Sequence, residues 1–141
     1  MIKTIGYNKI NQYAHVLFLK NKENIKEHMK KHSEIIEPKF EIVYKILKEQ
    51  VGDICDISQP RGGYFISCDL PYGTAKRAVA LAKELGVIIT GAGATFPYRI
   101  DPCDSNVRIA PTLPTQDELI TAMNIFCCCI KLAWAEKNMN A

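Results

Sequence analysis

The sequence predicts an α+β domain: a small mixed or antiparallel sheet covered by helices, with helices at the N-terminus and one long helix at the C-terminus. Three observations carry this prediction. Apolar residues recur at three- and four-residue spacings within 33–51, 75–85 and 119–133. Between these stretches lie short β-prone runs at 54–58, 64–68, 87–90 and 106–110, punctuated by Pro and Gly. The 141 residues, 48% hydrophobic and 23% charged, suit one domain that builds its own core without disulfide staples.

The elements follow in order. Residues 8–19 carry apolar points at Ile10, Tyr13, Ala14 and Leu17, which predicts a short helix. Asn21 is placed to cap a second helix running through Ile25 and Met29. From Ser33 the stripe Ile36, Phe40, Val43, Leu47 and Val51 is stronger, and Gly52 stops it. Pro38 either opens that helix at its first turn or kinks it. The runs 54–58 and 64–68 flank Gln59-Pro60-Arg61-Gly62-Gly63 and predict an antiparallel pair. Thr74 is placed to cap a helix over 75–85, with Ala75, Ala78, Val79, Ala82 and Leu85 inward and Gly86 ending it.

Residues 87–90 predict a buried strand, 91–105 a loop, and 106–110 a strand ended by Pro111. Thr115 and Glu118 match a capping box. The last helix then places Leu119, Met123, Phe126, Ile130 and Ala133 on one face. The expected order is helices, β-β-α-β-β and a long helix.

Charge and cysteine usage narrow the class. The net charge of +3 resides in the Lys-rich first third, as solvated helix faces would place it, without the dense basic, aromatic-interleaved patch that nucleic acid attracts. The six cysteines include the consecutive Cys127, Cys128 and Cys129 and form no CxxC pair. Neighbouring helical side chains diverge, so the triplet does not grip one metal. The expectation is reduced, mostly buried thiols in a cytoplasmic protein. No signal peptide opens the chain and no uninterrupted apolar run is long enough to span a membrane.

Arg108 stands out among residues able to carry chemistry. On a strand, its side chain shares a face with Asn106 and Ala110, opposite Val107 and Ile109. A guanidinium held there is a bidentate partner for a carboxylate, or else an ion-pair partner for Asp101 or Asp104. Arg61-Gly62-Gly63-Tyr64-Phe65 reads as a turn feeding a strand, where two glycines also permit close approach of a ligand. Gly91-Ala92-Gly93-Ala94-Thr95 lacks the phosphate-loop Lys-Ser/Thr ending and the GxGxxG spacing, so it reads as a tight loop. His28 and His32 are one helical turn apart but lack the zinc-protease Glu and are crowded by lysines, so an exposed helix face explains them. Asp117 and Glu118 suit the positive end of a helix dipole.

Several segments, taken in order, resemble one family. Pro60-Arg61-Gly62-Gly63-Tyr64-Phe65-Ile66-Ser67 is similar to the PxGGxF segment of class I aminotransferases. Ala78-Val79-Ala80-Leu81-Ala82-Lys83-Glu84-Leu85-Gly86-Val87, then Gly91 to Tyr98, Asp101-Pro102 and Asn106-Val107-Arg108-Ile109-Ala110-Pro111 follow as they do there. The whole chain resembles the C-terminal small domain of a fold-type I, pyridoxal-phosphate-dependent aminotransferase, of the aspartate-aminotransferase-like group often labelled MocR-type.

The resemblance implies that Arg108 binds the substrate α-carboxylate, that Asn106 is a substrate-binding residue with it, and that Arg61, Gly62, Gly63 and Tyr64 lie near the substrate entrance. It implies an amino-acid and keto-acid substrate pair, with aspartate or another dicarboxylic amino acid favoured, and a homodimeric intact enzyme. It implies pyridoxal phosphate held in a large domain outside this chain, with none bound by residues 1–141 alone and with 1–32 as a helical junction to that domain. Ile2 to Gly6 resembles sequence downstream of the family's lysine motif, so Lys3 is not nominated as the Schiff-base lysine. Two other readings stand beside this one: a stand-alone α+β module that holds an acidic metabolite through Arg108, and a non-catalytic remnant marked by a large exposed apolar face.

Overall fold

A computed structural model describes residues 8–139, in two compact units that divide between Ile35 and Ile36. Ile2 to Gly6, read as sequence downstream of the family's lysine motif, lie outside the described residues. In the first unit, α1 (Lys9–Leu19) begins where Asn8 Oδ1 accepts the amides of Ile10 and Asn11 at 3.0 and 3.2 Å. Asn21 Oδ1 likewise accepts the Asn24 amide and starts α2 (Lys22–Val51). The apolar points of α1 are not buried: Ile10, Tyr13, Val16, Leu17 and Phe18 all stay mostly exposed. His28 meets the Phe18 ring edge-on and neighbours His32, and no metal-binding group of three ligands occurs among the described residues.

The second unit holds the remaining elements. Pro38 sits in the interior of α2, not in its first turn, and lacks the amide that would bond back to the preceding turn. Beyond it Val43, Leu47 and Val51 are fully buried, as their spacing requires. The sheet is three antiparallel strands in the order β1-β2-β3: β1 (Asp56–Ile57), β2 (Ile66–Asp69) and β3 (Asn106–Ile109). α3 (Ala75–Glu84) precedes β3, and α4 (Gln116–Met139) closes the described chain.

The strand expected at 87–90 does not form. An extended run becomes a strand only with a hydrogen-bonding neighbour, and this one joins none of the three; Ile88 is 87% exposed. Leu85, expected inward, caps α3 and is exposed, while Leu81 takes its place in the core. Thr74 does not cap α3 with its side chain; its Oγ1 donates to the Pro71 carbonyl. The cap comes from far along the chain. Asp104 accepts the Lys76 amide through Oδ1 and the Thr74 and Ala75 amides through its carbonyl.

One face of the sheet is dry. Ile66, Cys68, Val107 and Ile109 point into a single core with Val43, Leu47 and Val51 of α2, Ala78 and Ala82 of α3, and the inward row of α4. That row is Leu119, Met123, Phe126, Ile130 and Ala133, all buried. α3 packs against α4 and is pinned by Arg77, whose Nε and Nη2 donate to Glu136 at 2.7 and 2.8 Å. The capping box of α4 forms as the spacing demands: the Thr115 amide donates to Glu118, and the Glu118 amide donates back to Thr115 Oγ1.

Once helical, α4 is apolar enough by length and composition to cross a membrane, which the uninterrupted-run criterion missed; its inward row belongs to the core just described. Cys55, Cys68, Cys127 and Cys129 are buried, Cys103 and Cys128 exposed, and all six are free thiols. Burial pushes the Cys127 thiol up to about 12, and the hydrogen bond that the Cys68 thiol donates to Cys55, with burial, pushes Cys68 up as well.

Asp101 organises the approach to β3. Its carboxylate accepts the amides of Cys103, Ser105 and Asn106 at 2.8–2.9 Å, and the Asn106 amide above all holds it below the usual carboxylate range. A folded-state pKa that is depressed stabilises fully above the unfolded value of about 3.9 and loses that contribution as pH falls through the folded value. Stability is therefore expected to drop below about pH 4 in acid titrations followed by circular dichroism, and Asp101→Asn is expected to flatten that part of the curve.

Candidate functional site

The antiparallel register decides which side chains meet. Ser67 pairs with Arg108 and Asp69 with Asn106, while Cys68 pairs with Val107. Because side chains alternate, Ile66, Cys68, Val107 and Ile109 go to the core. Ser67, Asp69, Asn106 and Arg108 share the opposite, partly exposed face. Phe65, two residues before Ser67, joins them: the Arg108 guanidinium carbon lies 4.2 Å from the centre of its ring.

Arg108 is thus held from one side by an aromatic face. Its Nε is buried and meets no hydrogen-bond acceptor among the described residues. Neither carboxylate expected as an ion-pair partner serves it. Asp101 is engaged by three amides, and Asp104 caps α3. A buried guanidinium nitrogen without an acceptor is costly in a folded protein.

Asn106 is knitted into the same face. Its Nδ2 donates to Ser67 Oγ at 2.9 Å and to Asp69 Oδ1 at 2.7 Å, and its Oδ1 accepts from Thr95 Oγ1 at 2.7 Å. Both amide hydrogens are therefore committed within the chain, and Asn106 tethers the loop 91–105 to β2 and β3. Lys39 ties down the far end of β3 by donating from Nζ to the carbonyls of Thr112 and Pro114 at 2.8 and 2.6 Å.

Arg61, Gly62, Gly63 and Tyr64 occupy the exposed connection between β1 and β2, which ends at Phe65 and so adjoins the Arg108 stack along the chain. Gly63 adopts φ +89°, a conformation that a residue with a Cβ avoids. The loop 91–105 turns through a short 3-10 segment, Pro97–Arg99, with Tyr98 and Arg99 left-handed at φ 57° and 59°. Gly93 makes that turn possible: φ is +78° and an added Cβ would stand 2.7 Å from the Arg99 carbonyl oxygen. Gly93→Ala is expected to cost at least about 1–2 kcal/mol through the left-handed backbone alone, read as a lower urea midpoint.

Phe65, Ser67, Asp69 and Thr95 are the members of this face outside the residues that the resemblance places in the site. The two-residue alternation Phe65, Ser67, Asp69 against Ile66 and Cys68 is a signal in the sequence for the first three. Thr95 had none, since only the folded loop brings it to Asn106.

The family model described as aspartate amino-transferase matches residues 1–141. The chain belongs to this family. Over 141 residues, 99% of this chain and 33% of the relative, it is 43% identical to an aspartate aminotransferase of Corynebacterium glutamicum. A crystal structure of an aspartate transaminase from the same species superposes with a TM-score of 0.89 at 43% identity, covering 94% of this chain and 32% of that one. The fold also matches an alpha-aminoadipate aminotransferase of Thermus thermophilus, solved with N-(5'-phosphopyridoxyl)-L-leucine, at a TM-score of 0.71 and 20% identity. That match covers 86% of this chain and 30% of the other. The chain spans about a third of the length of these family members.

The described residues of this family member do not fit a pyridoxal group. A Schiff-base lysine needs a shielded amine, yet every described lysine except Lys39 is exposed, and the Lys39 ammonium is spent on two carbonyls. What the described aminotransferase residues do offer is a braced guanidinium on an open polar face.

Proposed function

We propose that this chain is the small domain of an amino-acid aminotransferase and that Arg108 binds the substrate's α-carboxylate, with the pyridoxal phosphate held by a large domain outside residues 1–141. One observation supports the reading: Arg108 stands on the polar face of β3 with a buried Nε that meets no acceptor among the described residues. A carboxylate satisfies a guanidinium with two parallel hydrogen bonds and thereby fixes the rotation of the amino acid about its Cα. Asn106 holds the strand that carries Arg108. Arg61, Gly63 and Tyr64 border the approach. Aspartate is the favoured substrate, supported by the 43% identity to a corynebacterial aspartate aminotransferase.

The test is a hybrid enzyme. The first two-thirds of that corynebacterial relative are joined to this chain, and the bound cofactor's absorbance is followed as L-aspartate is added. The reading expects an aspartate-dependent spectral change in the hybrid that is lost in Arg108→Gln. A hybrid that binds cofactor and responds to aspartate equally well without Arg108 overturns it.

A further inference from the structure

We infer that Phe65 is a positioning residue for Arg108, holding the guanidinium plane so that its donors stay free for an incoming carboxylate. The inference rests on the proposed role of Arg108 and adds how that role is prepared.

An arginine side chain has several rotatable bonds and, if unrestrained, samples many directions. A carboxylate can fix such a side chain through a bidentate pair. On this face that solution would defeat the purpose, because a carboxylate occupies the same fork of N–H groups that a substrate needs and cancels the charge that attracts it. The chain avoids it. Asp69, on the same face, accepts from Asn106, and Asp101 accepts three backbone amides.

The brace is instead an aromatic face, with the Phe65 ring centre 4.2 Å from the guanidinium carbon. A ring attracts the cation through its quadrupole and consumes none of its in-plane donors. Ser67, directly opposite Arg108 in the register, is too short to do the same work, and its Oγ accepts from Asn106. Phe65 adjoins the Gly62-Gly63 connection but precedes β2 directly, so its anchor is the sheet and not the turn.

The stack makes a prediction separable from the substrate role. The Nε–H of Arg108 is observed by NMR in the arginine-labelled chain and assigned by its disappearance in Arg108→Lys. Phe65→Leu keeps apolar bulk but removes the π face. It is expected to speed Nε–H exchange roughly two- to thirty-fold, the range that cation–π attraction supports. Phe65→Trp keeps a face and is expected to retain slow exchange. In the hybrid enzyme, Phe65→Leu is expected to raise KM for L-aspartate, and Phe65→Trp to restore it. Unchanged exchange in Phe65→Leu overturns the inference, as does fast exchange in Phe65→Trp with the β2–β3 amide pattern intact. Faster exchange with an unaltered KM confines Phe65 to a structural role and also overturns it. Failure of the underlying reading looks different: aspartate binding would then survive Arg108→Gln.

Discussion

Arg108→Gln is expected to lower kcat/KM of the assembled enzyme for L-aspartate by roughly 30- to 5,000-fold, the equivalent of removing one partner of a buried, hydrogen-bonded charge pair at about 2–5 kcal/mol. Glutamine retains polar atoms but neither the charge nor the planar fork. Arg108→Lys is expected to fall between the two, since it restores the charge as a point and not as a bidentate donor. The fold should tolerate both changes, because Arg108 has no ion-pair partner among the described residues whose charge would be left stranded, and its strand neighbours Val107 and Ile109 do the packing. Steady-state kinetics of the hybrid, with urea unfolding of each isolated variant, separates binding from stability. A kcat/KM within about twofold of the parent would remove Arg108 from the substrate site.

The second large effect concerns the core. Phe126→Ala is expected to destabilise the second unit by about 3–5 kcal/mol. Phe126 is fully buried, the largest such side chain in the described residues, and lies in the inward row of α4 between Met123 and Ile130. Truncation loses the transfer energy of the ring and leaves a cavity that the surrounding helices fill only partly. Against a total stability of about 5–15 kcal/mol, that loss is enough to populate the unfolded chain appreciably. Urea denaturation followed by circular dichroism is expected to show a lower midpoint at an unchanged slope. A loss below about 1 kcal/mol would mean that α4 does not form the central wall of the core.

Much of this architecture was legible because it depends on local chemistry. Asn21 caps the helix that it precedes, and Thr115 and Glu118 close the box that their spacing describes. The five inward residues of α4 were legible from their period alone, as were Val43, Leu47 and Val51. The antiparallel pairing of β1 with β2 followed from two β-prone runs around a Pro/Gly turn.

The remainder depended on partners distant in sequence. Residues 87–90 have the composition of a strand, but no neighbouring strand receives them. Thr74 has the composition of a cap, yet Asp104 performs the capping from the other side of the loop. The apolar points of α1 follow the helical period without meeting a core within their own unit. In the candidate site, Arg108 was legible as an isolated strand arginine, whereas its brace was not, since a stack needs the diagonal neighbour that only the β2–β3 register supplies. Asn106 shows the same limit. Its commitment to Ser67, Asp69 and Thr95 makes it a tether of the site, a role that its position beside Arg108 in the sequence does not reveal.

The central claim is that Arg108 receives an α-carboxylate, and comparing two amino compounds that differ in that group tests it most directly. L-Aspartate and β-alanine share an amine and a distal carboxylate, and only aspartate carries the α-carboxylate. In the hybrid enzyme the parent chain is expected to favour aspartate strongly in kcat/KM, and Arg108→Gln to bring the ratio close to one. An undiminished preference for aspartate in Arg108→Gln would contradict the account and place the α-carboxylate on another residue.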